Sequence, residues 1–423
     1  MCEIVSGAEP QFAAFVAIDW ADQKHFWSLQ PAGSNKRDHG EIEHTPEAVE
    51  AWVTMLAARF GGDPIAVALE QSRGALVFML SKYEQLHIYP IHSRAAAQFR
   101  AALFPSGAKD DPVDAELLLD LLVHHRGRLR RLNPDTEQTR LLQHLVEGRR
   151  QLVNEKTRQS NRLTAKLKVY FPQMLTWFDE VDSPLVGAML ERWSTLEDIQ
   201  KARPATVRSF LTAHQCRSQE RIEQRLEQIR LAVPAVRDTA VLQSSVAMTQ
   251  TLVRVIAALR EGIATFDQQI KQAASEHPDF AIWDSFPGAG AALAPRLLAA
   301  FGSCRDRYGT AAEMQQYSGI APVQERSGKM KWVHFRWACP KFLRQTFHEW
   351  ASHSIAFCGW ARAYYEQQMK SGKHHHAAVR ALAFKWIRIA FRCWQDSVPY
   401  DDSRYVASLR RHGSPLAQAI SQQ

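Results

Sequence analysis

Four carboxylates and one serine are the residues in this chain whose types and spacing can do chemistry. Asp19 closes the apolar run Phe12–Ile18, and Glu70 closes a second, Pro64–Leu69. In open α/β sheets, ligands gather at the carboxyl ends of strands. Asp111-Pro112-Val113-Asp114 opens a helix, and its two aspartates fall on one face of the first turn. Taken singly, each has a simpler reading as a cap or turn residue, or for Glu70 as a partner of Arg73. Brought together, the four would repel one another strongly unless a pair of divalent cations relieved them. Hard oxygen donors suit Mg²⁺ or Mn²⁺. Two such ions can stabilise both the attacking and the leaving oxygen of a phosphoryl transfer.

The serine is Ser327, in Arg326-Ser327-Gly328-Lys329-Met330-Lys331. Composition reads this segment as a flexible loop in which Arg326, Lys329 and Lys331 would hold a phosphate near the hydroxyl. A serine attacks poorly until a base or metal activates it, and only His334 is near in sequence. From local residues alone, a surface serine in a basic patch is the simpler reading. Upstream, Phe286-Pro287-Gly288-Ala289-Gly290 precedes an Ala/Leu-rich helix, a turn whose backbone N–H groups suit a phosphate. His374-His375-His376 reads as a metal cluster or, the favoured reading, as a solvated, partly cationic loop against nucleic acid. Lys385, Arg388 and Arg392 interleave with Phe384, Trp386, Phe391 and Trp394. That pattern suits nucleic acid and equally an ordinary helix with an aromatic core face.

These groups must be held by three zones within 423 residues. Residues 1–127 alternate strand and helix signals: strands at Phe12–Ile18, His25–Gln30, Pro64–Leu69 and His87–Ile91, and helices at Pro46–Phe60 and Asp111–His124. Thr45 is the N-cap of the first helix. The alternation implies an α/β layer with a mixed or parallel sheet. Residues 128–276 are helical, with one long helix over Asp135–Phe171 and others at Arg221–Leu231 and Thr249–Ala274. Its centre, Asn154–Arg162, has no apolar residue, and a helix polar all round is solvated or faces a charged partner. Arg149, Arg150, Lys156, Arg158 and Arg162 make nucleic acid the favoured partner. Residues 277–423 mix helices with Gly/Pro turns.

The chain is 46% hydrophobic and 23% charged, which excludes wholesale disorder. Its net charge of +8 is uneven: from Asp279 onward, 19 Lys/Arg face 10 Asp/Glu, so the positive field belongs to the C-terminal zone. No two of the six cysteines have C-x-x-C spacing, which fits free thiols in a reducing cytoplasm. No signal peptide and no membrane span is expected.

These residues resemble the DEDD insertion-sequence transposases, the group known as RNA-guided bridge recombinases. The carriers are Ala17-Ile18-Asp19, Ala68-Leu69-Glu70 and Lys109-Asp110-Asp111-Pro112-Val113-Asp114-Ala115. Toward the C-terminus they are the Phe-Pro-Gly-x-Gly turn, Tyr317-Ser318-Gly319-Ile320-Ala321-Pro322, Arg326-Ser327-Gly328 and Ala363-Tyr364-Tyr365. The resemblance implies an RNase H-like (RuvC-like) α/β domain, a coiled-coil middle and a mainly α transposase domain. It assigns the metal ligands to Asp19, Glu70, Asp111 and Asp114, and the nucleophile to Ser327 through a phosphoserine link. It implies Mg²⁺, donor and target DNA, a noncoding guide RNA, and homodimers or homotetramers. Ser318 is a rival nucleophile. A metal-dependent junction nuclease with no covalent step, and a binding protein with no activity, are the competing functions.

Overall fold

A computed structural model describes residues 10–103 and 111–420, with the side chains of Asp111 and residues 418–420 excepted. The chain forms two compact units, residues 1–134 and 135–423. The long helices expected as a separate middle zone belong to the second unit.

The first unit is built on a five-stranded sheet. Its strands are β1 (Ala14–Asp19), β2 (Lys24–Pro31), β3 (Asp38–Glu43), β4 (Ile65–Leu69) and β5 (Leu86–Pro90), in the order β3-β2-β1-β4-β5. β1, β2 and β3 pair antiparallel, while β1–β4 and β4–β5 are parallel. Helix α1 (Pro46–Phe60) starts where Thr45 Oγ1 accepts the Ala48 N–H, and it ends at Gly61 in the left-handed region. The short α2 (Ala75–Leu80) follows. Their apolar sides join Val16, Ile18, Val67 and Leu69 in one core. Alternate residues of the same strands, Ala17, Ala66 and Ala68, face the other way. They are small, so α4 (Asp111–His125) can lie close against the sheet. It packs on β1, β2 and β4, with α3 (Ser93–Leu103) beside it.

The second unit hangs on an antiparallel pair of long helices, α5 (Glu137–Tyr170) and α11 (Thr239–Ser275). A Cβ at Gly148 of α5 would come within 2.7 Å of the Phe266 ring, so the two helices meet there only because the residue is glycine. Between them in sequence come α6 (Gln173–Trp177), α7 (Pro184–Arg192), α8 (Leu196–Lys201), α9 (Pro204–Ala213) and α10 (Gln219–Leu231). These pack with Leu163, Leu167, Leu252, Val253 and Ile256 into one core at the far end of the pair. At the near end, Leu142, Val146, Ile270 and Ala274 enter a second core. That core is made by α12 (Phe280–Asp284), α13 (Gly290–Phe301), α14 (Ala311–Tyr317), α15 (Lys341–Phe357), α16 (Gly359–Lys370) and α17 (His375–Gln395). Strands β6 (Val323–Ser327) and β7 (Met330–His334) form a separate hairpin, and α18 (Asp402–Arg411) and α19 (Pro415–Ile420) end the chain.

α11 is ten residues longer at its start than its periodicity announced. It is also long and apolar enough to cross a membrane, with a best-window mean hydropathy of 1.2. Its inner face is committed to the α5 and α7 contacts.

Candidate functional site

β1 and β4 are neighbours in register, Ile18 opposite Leu69. The next residues along, Asp19 and Glu70, therefore leave the same edge of the sheet side by side, and both are partly buried. Asp114 stands on the first turn of α4, and its side chain is 5% exposed. A carboxylate this buried needs a cation, and Arg100 of α3 supplies one as an ion pair. The guanidinium engages Asp114 Oδ1, while Arg100 Nε has no hydrogen-bond partner. Lys109 and Asp110 lie outside the described residues, and so does the side chain of Asp111. Among the described residues, no three His, Cys, Asp or Glu side chains converge on one point. The donors are nonetheless hard carboxylate oxygens, two at strand ends and one buried on the first turn of a helix, which is the chemistry that divalent magnesium or manganese takes.

One residue beside this edge was not singled out from sequence. His25 on β2 is fully buried. Its Nδ1 accepts the Ala21 N–H at 3.3 Å, and its Nε2 lies 2.8 Å from His44 Nδ1. Burial, and then the neighbouring His44, push its pKa down to about 4, so it is neutral near pH 7. With Nδ1 accepting, Nε2–H donates to His44. His25 thus ties down the turn that follows Asp19. A histidine opening an apolar strand run was its sequence signal.

Ser327 is not in a loop. It ends β6, opposite Met330, with Gly328 at φ +56° in the two-residue turn. Strand alternation then separates the groups expected to act together. Arg326 and Lys331 are cross-strand partners on one face, whereas Ser327 and Met330 share the other with Glu325, Trp332, Val323 and His334. Glu325 accepts from Trp332 Nε1 at 2.8 Å and pairs with His334 at 3.3 Å. Ser327, Arg326, Lys329 and Lys331 are all exposed. Ser318 is fully buried, and its hydroxyl donates to the Gln315 carbonyl. Of the two serines, only Ser327 can meet a substrate without unfolding.

The cations of α5 are mostly engaged within the protein. Arg149 pairs with Asp267, Arg150 with Glu147, Lys156 with Asp182 and Arg158 with Glu155, while Arg162 donates to Gln159. Asp182 also accepts from Ser160, which explains part of the polar centre of that helix. The Phe286–Gly290 turn is a packing device. Gly288 has φ +74°, and a Cβ there would lie 2.8 Å from the Ser354 backbone nitrogen. Trp350 Nε1 donates to the Pro287 carbonyl. The aromatic face of α17 is core: Trp386 and Trp394 are fully buried and donate to Ser354 Oγ and the Gly302 carbonyl. His374, expected in a loop, is the N-cap of α17, and His375 and His376 lie in its first turn.

Two family models match this chain. A DEDD transposase model of the IS110 type covers residues 16–172, which include all four carboxylates. A model described as "Transposase IS116/IS110/IS902 family" covers 281–366, which include Ser327. Among curated proteins, the mini-circle putative transposase for IS117 of Streptomyces coelicolor is 27% identical over 95% of this chain and 98% of its own length. The insertion element IS110 43.6 kDa protein of the same organism is 26% identical over 93% and 97%. The insertion element IS900 42 kDa protein of Mycobacterium paratuberculosis is 24% identical over 92% and 91%.

Proposed function

Because the chain belongs to the DEDD insertion-sequence transposases, we propose that it cuts and rejoins donor and target DNA through a phosphoserine intermediate, guided by a noncoding RNA of its element. The observation that carries this reading is the pairing of two unlike sites. One is a sheet end where Asp19 and Glu70 leave two neighbouring parallel strands, with a buried aspartate, Asp114, on the helix packed against that sheet. The other is an exposed serine at the tip of a hairpin. The strand order β3-β2-β1-β4-β5, antiparallel then parallel, supports an RNase H-like first unit.

Asp19, Glu70, Asp111 and Asp114 would hold Mg²⁺ or Mn²⁺. When bound, the ions stabilise charge on the oxygens of the transferring phosphate. Asp114 would bind metal alongside Arg100, since a carboxylate has two oxygens and can serve an ion pair and a metal together. His25 keeps the turn beyond Asp19 in place. Ser327 Oγ attacks the scissile phosphorus, the Oγ–P bond forms, and one bridging P–O bond breaks. The departing DNA oxygen leaves as a hydroxyl carrying the serine's proton. A DNA hydroxyl from the other duplex then attacks the phosphoserine, restoring Ser327 and a phosphodiester. Bond energy is conserved, so no nucleotide cofactor is needed. Arg326 and Lys331, on the far face of the hairpin, hold flanking phosphates rather than the reacting one. Base pairing to the guide RNA would read sequence while the protein reads backbone and shape. The protomers would act as dimers or tetramers.

The test is covalent trapping. Protein, element-derived RNA, Mg²⁺ and labelled donor DNA are mixed, denatured and run on a gel. Label migrating with the protein, and lost in Ser327→Ala, supports the reading. Cleaved DNA with no adduct would leave the chemistry to the carboxylates alone.

A further inference from the structure

Past the hairpin, the chain exposes its most solvent-open large apolar side chain among the described residues, Trp337, at 79%. A single exposed apolar side chain is ordinary on a protein surface, so what sets this one apart is the groups around it. Its surroundings are not apolar. The Phe335 and Trp337 rings meet at a steep angle, 4.9 Å between centroids, and most of the indole stays open to solvent. Over Phe335 stand two guanidiniums, Arg344 at 4.7 Å and Arg380 at 4.9 Å. Neither has a carboxylate partner among the described residues, in contrast to the paired cations of α5. His376 adds to the same patch, its ring tilted against that of His348 at 5.4 Å. Burial above all, and after it His376 and Arg380, hold the His348 pKa below its ordinary value.

We propose that Trp337 is a base-stacking platform for single-stranded nucleic acid, with Arg344 and Arg380 holding the phosphates on either side of the stacked nucleotide. An apolar protein partner would leave these two cations desolvated and unpaired. A nucleotide satisfies both features at once, since every base offers a π-face and every linkage a negative charge. The site also gives a role to the histidine run that the catalytic scheme leaves unused. This inference rests on the nucleic-acid reading above, and the experiment separates the two.

Full-length protein is titrated against a fluorescently labelled oligothymidylate and against a labelled duplex of equal length. Trp337→Ala weakens the single strand by about tenfold or more, the scale of one lost stacking contact, and leaves the duplex within about twofold. Trp337→Phe restores most of the loss. Unchanged single-strand affinity in Trp337→Ala overturns the platform while leaving nucleic-acid binding intact. Equal losses on both probes overturn it as well, because a general phosphate contact would do that. A changed sedimentation mass with unchanged binding makes Trp337 a self-association contact instead. Failure of the unmodified protein to bind either probe removes the underlying reading. Trp337 packs against little, so the variants should melt with the unmodified protein.

Discussion

The carboxylate edge and the serine hairpin solve placement in opposite ways. Asp19, Glu70 and Asp114 are mounted on a sheet and a helix whose cores are closed on both faces. Ser327 stands on a two-stranded ribbon with exposed residues on both faces, and an isolated hairpin is marginally stable in water. A charge-stabilising site must be fixed before substrate arrives, because its benefit comes from dipoles that need not reorganise. A nucleophile that joins covalently to its substrate can be ordered by that substrate. The exposed apolar residues of the ribbon, Met330 and Val333, are in keeping with a surface that is completed on binding.

That contrast can be broken most directly at its two ends. Ser327→Ala should abolish the covalent adduct on denaturing gels while leaving nucleic-acid affinity within about twofold, since an exposed hydroxyl contributes little to binding. Asp114→Asn should lower strand cleavage by on the order of 10²–10³-fold, the scale of losing one preorganised charge group, with binding largely kept. Full activity in Asp114→Asn would sink the carboxylate assignment.

The next effect is one of stability. Asp135 is 2% exposed and accepts from Ser303 N, Cys304 N, Gln143 and Arg307. Burial alone would raise its pKa, but Arg307 and these donors outweigh that and hold it below the ordinary carboxylate value. Asp135→Ala strands Arg307 and should cost about 3–5 kcal/mol. Calorimetry should place the loss in the second unit's transition and leave the first unchanged.

A smaller effect belongs to the first unit. Below about pH 6.5 the unfolded chain protonates His25, while the folded chain resists until about pH 4. Stability of that unit should therefore fall as pH drops through this window, and His25→Gln should flatten the fall in melting curves. The smallest is at Arg158, an exposed partner of Glu155. Arg158→Ala should change stability by less than about 0.5 kcal/mol. If it also lowers the salt dependence of nucleic-acid binding, α5 contacts phosphate despite its internal pairs.

Elements that bury a strong apolar pattern were legible in the sequence. α1 matches the expected Pro46–Phe60 span with its Thr45 cap, and α5 begins and ends within two residues of expectation. β4 and β5 read plainly because they are apolar runs bounded by turns. β3 did not, since Asp38–Glu43 buries only Ile42. The β6–β7 hairpin was hidden for the same reason: with both faces wet, no alternation survives to mark it. Its clue was local, a Gly-Lys pair between two runs of equal length. Missing it misplaced Arg326 and Lys331, because only strand register tells which side chains share a face. The Arg100 pairing and the His25 anchor depend on contacts between elements, which no local pattern encodes.

The long pair α5 and α11 joins two separate cores, and that makes it a measure of distance. At 1.5 Å per residue, the 34 residues of α5 span about 51 Å. That matches about fifteen base pairs of duplex at 3.4 Å each. Whatever the helices α6 to α10 touch is held at a fixed interval from whatever the C-terminal core touches. Removing one heptad from each helix would shorten the interval by about 10 Å with the apolar stripe nearly in phase. The element's preferred spacing would then be set by helix length.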